Sequence, residues 1–391
     1  MQSMNQFTDT KPHYALLDGL RGVAALLVVW YHVFEGYQFA GGKPVIDFAN
    51  HGYLAVDFFF ILSGFVIGYA YDSRWKSGLT LGSFFKRRLI RLHPMVIMGV
   101  IIGTIGFATE GFTRWDGSAT PVSMVLLCML SSLFMIPAVP GAAHEVRGNG
   151  EMFPLNGPTW SLFFEYIGNI IYALILRRLS TRALKATTAV VGVALAVYAL
   201  TDAAGYGSIG VGWTLDADNA VGGLLRMLFP FSLGALISRI FKPLHNVKGA
   251  FWICTIALAL LFHVPYIEGT SPISFNGVFE MLCIALVFPA LLWIGASGKT
   301  TDDFSRRVCS FLGRISFPLY MVHYPIMYSF YKWLIRTEQY SFAQTWQVAL
   351  LVMAASIVLA YLCLVLYETP VRNLLTRRFN SKKSETFLNC S

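Results

Sequence analysis

Charge is scarce in this sequence. Asp, Glu, Lys and Arg make up 13% of its 391 residues, about half the share of an ordinary soluble domain. Cysteine patterning is missing too. Cys128, Cys254, Cys283, Cys309, Cys363 and Cys390 form no C-x-x-C pair and no histidine-spaced set. Most sit in apolar runs, which excludes a zinc site or a disulfide framework as the organising device. No Walker A loop, dinucleotide glycine fingerprint or H-E-x-x-H is present. Residues 1–13 are polar and the first apolar run keeps an arginine, so no cleavable signal peptide is expected. No internal repeat is visible, and neither end has a polar segment long enough for a soluble catalytic domain.

What fills the chain instead is apolar: 55% hydrophobic residues, 15% aromatic and a mean hydropathy of +0.57. Eleven runs have the length and composition of membrane spans. Basic residues cluster in 74–91, 177–185, 239–248, 299–314 and the C-terminal tail, while 35–52, 109–120, 138–158, 202–219 and 267–276 are balanced or acidic. Lys and Arg favour the cytoplasmic side, so the net charge of +9 reads as topology and not as a nucleic-acid surface. The loops alternate correctly if the short, proline-bracketed run 121–137 enters and leaves from the outer side. The expected fold is an all-α polytopic membrane helix bundle in one domain over 1–391, with no appended soluble domain. Ten transmembrane helices are placed at 14–34, 53–71, 90–108, 159–177, 184–201, 220–240, 249–266, 277–295, 311–331 and 345–367, with 121–137 re-entrant and both termini cytoplasmic.

Polar residues inside those runs point to function, because intramembrane charges face a protein interior or a watery cavity. Arg21 and His32, eleven residues apart in the first run, share a helix face about 16 Å apart. Asp18 lies one turn before Arg21 and offers it a structural partner. Asp57, near the outer end of the second run, and Glu165, in the run after Pro158, are expected in one layer with His32, where either could orient the imidazole. Arg88 and Arg91 lie one turn apart at the inner end of the third run, and arginine forks suit phosphate. Trp160, Ser161, Tyr320 and His323 are candidate lining residues. Glu368 and Arg372 read as an inner anchor. His13 and Asp18 have the H-x4-D spacing of glycerolipid acyltransferases, but that match runs from a polar tail into a span and is declined.

Six motifs in order then resemble the membrane-bound acyltransferase family 3. They are L-D-G-L-R-G (17–22) with Arg-x10-His, G-x3-V-D-x-F-F-x-x-S-G-F (52–65), R-R-x-x-R-x-x-P (87–94), P-T-W-S-L-x-x-E (158–165), S-x-x-L-Y-x-x-H-x-P (316–325) and E-x-P-x-R (368–372). The resemblance implies an O-acyltransferase, usually an O-acetyltransferase, of the bacterial inner membrane. It would move an acyl group from cytoplasmic acyl-CoA to a hydroxyl of a surface glycan, exopolysaccharide precursor or lipid-linked oligosaccharide. It also implies His32 as catalytic residue, with Arg21, Arg88 and Arg91 binding the CoA donor, and no metal. The sequence departs from the family at Tyr166, where many members carry a second glutamate. Transfer is completed either by this chain alone or with a separate periplasmic partner. Two other readings stay open at this point: acylation of a small molecule, and a carrier for a solute or lipid-linked sugar that does no chemistry.

Overall fold

The computed structural model describes residues 14–41, 51–245, 247–267, 273–300 and 302–388, with side chains through Phe379 in the last stretch. His13, Glu268 and Cys390 lie outside the described residues. The helices are α1 (Ala15–Gly41), α2 (Ala55–Lys76), α3 (Leu81–Thr109), α4 (Val122–Leu133), α5 (Thr159–Leu174), α6 (Thr181–Leu200), α7 (Ala217–Ile240) and α8 (Ala250–Phe262). There follow α9 (Phe275–Leu282), α10 (Phe288–Ser297), α11 (Asp303–Thr337), α12 (Phe342–Cys363) and α13 (Thr369–Leu388). Short side chains set several starts: Thr80, Ser180, Asp216 and Asp302 each accept a backbone N–H from the first turn of α3, α6, α7 and α11. A π-helical turn, Cys283–Val287, joins α9 to α10 just before Pro289, which has no N–H for an ordinary helical turn.

Eight helical segments among the described residues are long and apolar enough to cross a bilayer. Their outward faces carry exposed aliphatic side chains such as Val190, Val193, Leu351 and Leu366. That is the surface hydrocarbon accepts, since a helix satisfies most of its backbone polar groups internally. The protein is a multi-pass membrane helix bundle. Helix α11 has 35 residues and crosses the whole core, although its charged first turns keep it below a purely apolar standard.

Glycines fix the helix pairs. Gly19, Gly22 and Gly36 of α1 lie against Cys309, Leu312 and Tyr331 of α11, so the two helices run parallel. A Cβ at Gly22 would meet the Leu312 carbonyl oxygen at 2.3 Å, so only glycine allows this approach. Gly64 and Gly68 of α2 pack in the same way on Phe231 and Ser238 of α7, again parallel. The bundle thus has an arginine end, where α1 starts, and a histidine end, where it finishes.

Two short helices refine this picture. Helix α8 has 13 residues, about 20 Å of rise against a hydrocarbon core of about 30 Å. It starts beside Gly298 and Leu16 at the arginine end and finishes where the His51 amide donates to the Phe262 carbonyl at 3.2 Å. Gly52 packs on Tyr31, so α8 stops well short of the end of α1. Helix α4 has 12 residues. The chain enters it past Thr120 and returns to the same end, where Thr120 Oγ1 donates to the Val146 carbonyl at 3.0 Å and the Trp115 amide to the Arg147 carbonyl at 3.1 Å.

Candidate active site

The parallel register of α1 and α11 carries Tyr324 and Tyr331 to the histidine end of α1. There His32 Nδ1–H donates to Glu35 Oε2 at 2.7 Å, an i, i+3 pair on one helix face. Because a carboxylate only accepts, the bond places the proton on Nδ1 and leaves Nε2 as the basic nitrogen. The Tyr331 hydroxyl lies 2.7 Å from the His32 carbonyl oxygen and 3.1 Å from Glu35 Oε2. The Tyr31 hydroxyl adds a longer contact to Glu35 at 3.4 Å. The pair faces a cavity that Trp160 also lines. The loop after α4 closes this chamber above. Its Glu151 accepts from the Tyr328 hydroxyl, and burial holds the Glu151 carboxyl up at about 7.

At the other end, Arg21, Arg88 and Arg91 line a second cavity together with Glu165, Ser63 and Ser316. Arg21 pairs with Asp18 at 2.6 Å and donates from Nε to Ser316 Oγ at 3.0 Å. Arg88 pairs with Glu165 at 2.8 Å, and Ser63 donates to the same carboxylate at 2.9 Å. Arg91 is exposed and makes no ion pair among the described residues, so its fork is free for an anion. Three arginines from two helices in one concavity suit a polyphosphate better than a single carboxylate.

Val56 and Tyr320 line both chambers. The Tyr320 hydroxyl is 2.7 Å from Ser161 Oγ, so this wall is tied across α11 and α5. The expected separation of arginines and histidine along α1 is therefore a pair of compartments on either side of a shared wall. Tyr320 is the septum residue, Trp160 faces the histidine side and Ser161 the arginine side. His323 is buried behind His32, with ring centroids 5.4 Å apart, and lines neither chamber. Its Nδ1–H donates to the Tyr320 carbonyl at 2.9 Å.

Neither carboxylate expected beside His32 is there. Asp57 is fully buried against Arg226 of α7, with Oδ2 2.6 Å from Nη2 and Oδ1 3.2 Å from Nε. Arg226 also donates to the carbonyls of Val211 at 2.6 Å and Tyr53 at 3.1 Å. This pair locks α2 to α7. Glu165 faces the arginine chamber, one compartment away, because α5 runs from the septum towards the arginine end. Depth along a helix is readable from sequence, but rotation about its axis and the choice of neighbour depend on packing.

The orienting carboxylate is Glu35, which sequence reasoning assigned to the loop after 34. The signal was its i, i+3 spacing from His32, hidden because α1 continues seven residues beyond the apolar run, to Gly41. Arg226 was equally legible as an arginine in the middle of the 220–240 run. Among the described residues no cluster of three or more His, Cys, Asp or Glu could hold a metal ion.

Fold and cavities together define a membrane-embedded protein with an arginine-lined cavity and a histidine–carboxylate cavity either side of a shared wall. Comparison with known families identifies it further. Residues 14–365 match the acyltransferase family 3 model, described as an acyltransferase domain. The chain belongs to that family and is an acyltransferase. It is 27% identical over 389 residues to acyltransferase MdmB of Streptomyces mycarofaciens, covering 93% of this chain and 92% of the relative. It is 35% identical over 170 residues to protein 2 in the picA locus of Rhizobium radiobacter, covering 41% of this chain and 81% of that protein. Identity to peptidoglycan O-acetyltransferase OatA of Listeria monocytogenes is 25% over 376 residues, covering 91% of this chain but 55% of OatA. No solved structure matches.

Proposed function

We propose that this protein is an acyl-CoA-dependent O-acyltransferase, with acetyl as the group transferred. In this reading the arginine chamber opens to the cytoplasm and takes the donor, and the histidine chamber takes an acceptor hydroxyl of a surface glycan or its precursor. One observation carries it: three arginines and a His–Glu pair occupy two compartments that share Val56 and Tyr320. The excess of Lys and Arg in the arginine-end loops supports the orientation. The relatives named as O-acetyltransferases support the reaction class.

In this mechanism the guanidiniums of Arg21, Arg88 and Arg91 hold the donor's phosphates, and the acyl arm reaches past Tyr320. Glu165 keeps the Arg88 fork directed into the chamber. His32 Nε2 takes the proton of the acceptor hydroxyl as its oxygen attacks the thioester carbonyl, and the CoA thiolate departs. Glu35 fixes the tautomer and stabilises the imidazolium formed in that step. Asp57 and Arg226 act as framework.

The test is acetyl-CoA-dependent release of free CoA by the protein in lipid discs. Release that disappears in His32→Ala, with saturable acetyl-CoA binding retained, supports the reading. Turnover by His32→Ala near the wild-type rate would remove His32 from the chemistry. A folded protein that neither binds acetyl-CoA nor releases CoA would overturn the donor assignment.

A further inference from the structure

The lining of the histidine chamber is one-sided in both shape and charge. Half of its lining residues are aromatic, including Trp115, Trp160 and Trp213. Aromatic faces carry negative charge density and take up the weakly positive C–H face of a pyranose ring, while nearby tyrosine hydroxyls and Asn149 offer hydrogen bonds to sugar hydroxyls.

The charged groups facing the cavity are Glu35, Glu151, His32 and Arg226. His32 is committed to Glu35. Arg226 is 1% exposed and held by both oxygens of Asp57 and by two carbonyls. Behind the Tyr328 ring lies Arg147, also 1% exposed, paired with Glu110 at 2.9 Å and 3.6 Å from the ring centroid. Among the described residues, no uncommitted cation faces the chamber, and two carboxylates do. All three anion-type arginines lie across the septum.

We infer that the histidine chamber selects an uncharged or cationic pyranoside acceptor and rejects one whose reacting sugar carries a carboxylate or phosphate. The inference deepens the acyltransferase reading and rests on it for the role of acceptor. Binding alone tests it. An anion on the acceptor would meet the Glu35 carboxylate and a Glu151 carboxyl that burial leaves only partly ionised near neutral pH, and would find no free cation; discrimination of this kind comes from an unpaired like charge as much as from a good contact.

The experiment measures tryptophan-fluorescence quenching of the full-length protein in lipid discs by methyl β-glucoside, methyl β-glucosaminide and methyl β-glucuronide. The expected result is saturable binding of the first two, lost in Trp115→Ala, with the glucuronide weaker by about tenfold or more. At about pH 8, above the Glu151 value of about 7, Glu151→Gln and Glu35→Gln, measured separately, should each narrow that gap, so one poorly folded variant leaves the other readable. Glucuronide binding as tight as glucoside binding, or no binding of any of the three, would overturn the inference. Failure of the acyltransferase reading shows up separately, as absence of acetyl-CoA-dependent CoA release.

Discussion

Replacing Glu35 with glutamine keeps the side chain's size and a hydrogen-bond acceptor but removes the charge beside His32. The Nδ1–Oε2 bond is 2.7 Å, and Glu35 retains about a third of its side-chain exposure, 33%. At a charge separation of about 4 Å and an effective dielectric of about 20, the Coulomb term on an imidazolium is about 4 kcal/mol. Exposure screens it, leaving about 1.4–2.7 kcal/mol, or about 10- to 100-fold in kcat. The donor arginines lie in the other compartment, so the KM for acetyl-CoA should change by less than about twofold. Steady-state CoA release across acetyl-CoA concentrations reads both quantities. Tyr331→Phe, which leaves the carboxylate but loses its clamp, should fall between wild type and Glu35→Gln. A kcat within twofold of wild type for Glu35→Gln would refute the assignment of Glu35 as the group that positions His32.

Arg91→Ala should raise the acetyl-CoA KM by about tenfold with little change in kcat, because it removes one phosphate contact outside the reacting atoms; titration of turnover against donor concentration checks this. Asp57→Ala should lower stability by about 3–5 kcal/mol, since it leaves Arg226 buried without its counter-charge, and loss of folded protein on detergent gel filtration would show it. Gly22→Leu should separate α1 from α11 and lose about 1–3 kcal/mol or more in thermal unfolding, because a Cβ there already meets the Leu312 carbonyl oxygen. Glu151 has its folded pKa raised by burial from 4.5 to about 7. Folding therefore takes up a proton between those values, and the wild type should lose stability as pH rises from about 4.5 to about 7. Glu151→Gln should flatten that decline, and an unchanged pH profile of thermal unfolding would count against a buried carboxyl there.

The helices were legible in the sequence because apolar length is a strong signal: a helix occupies each of the eleven apolar runs. The gathering of Arg21, Arg88 and Arg91 was legible too, since all three sit at the same depth on helices that begin at the same end. Glu35 was not, because a hydropathy boundary marks where lipid contact stops and not where a helix stops. The top of α1 stays helical by packing Tyr37, Phe34 and Gly36 against α11 and α12, contacts that belong to tertiary structure. Asp57 was placed at the right depth and given the wrong neighbour. Its partner, Arg226, is 169 residues away, and only the parallel α2–α7 pairing brings them together. Glu165 failed for the complementary reason: its helix descends from the septum, so a position just inside α5 is already in the other compartment.

The shared wall of Val56 and Tyr320 also bears on the bilayer as an insulator. Two hollows that share a wall inside a helix bundle would form a continuous aqueous pore without that wall. The histidine hollow is lined by groups able to hand protons along, two carboxyl groups, an imidazole and tyrosine hydroxyls, and the arginine hollow adds Glu165. An open junction would short-circuit the ion gradients of the membrane that houses it. The Tyr320–Ser161 hydrogen bond holds a phenol ring in the wall between the two hollows.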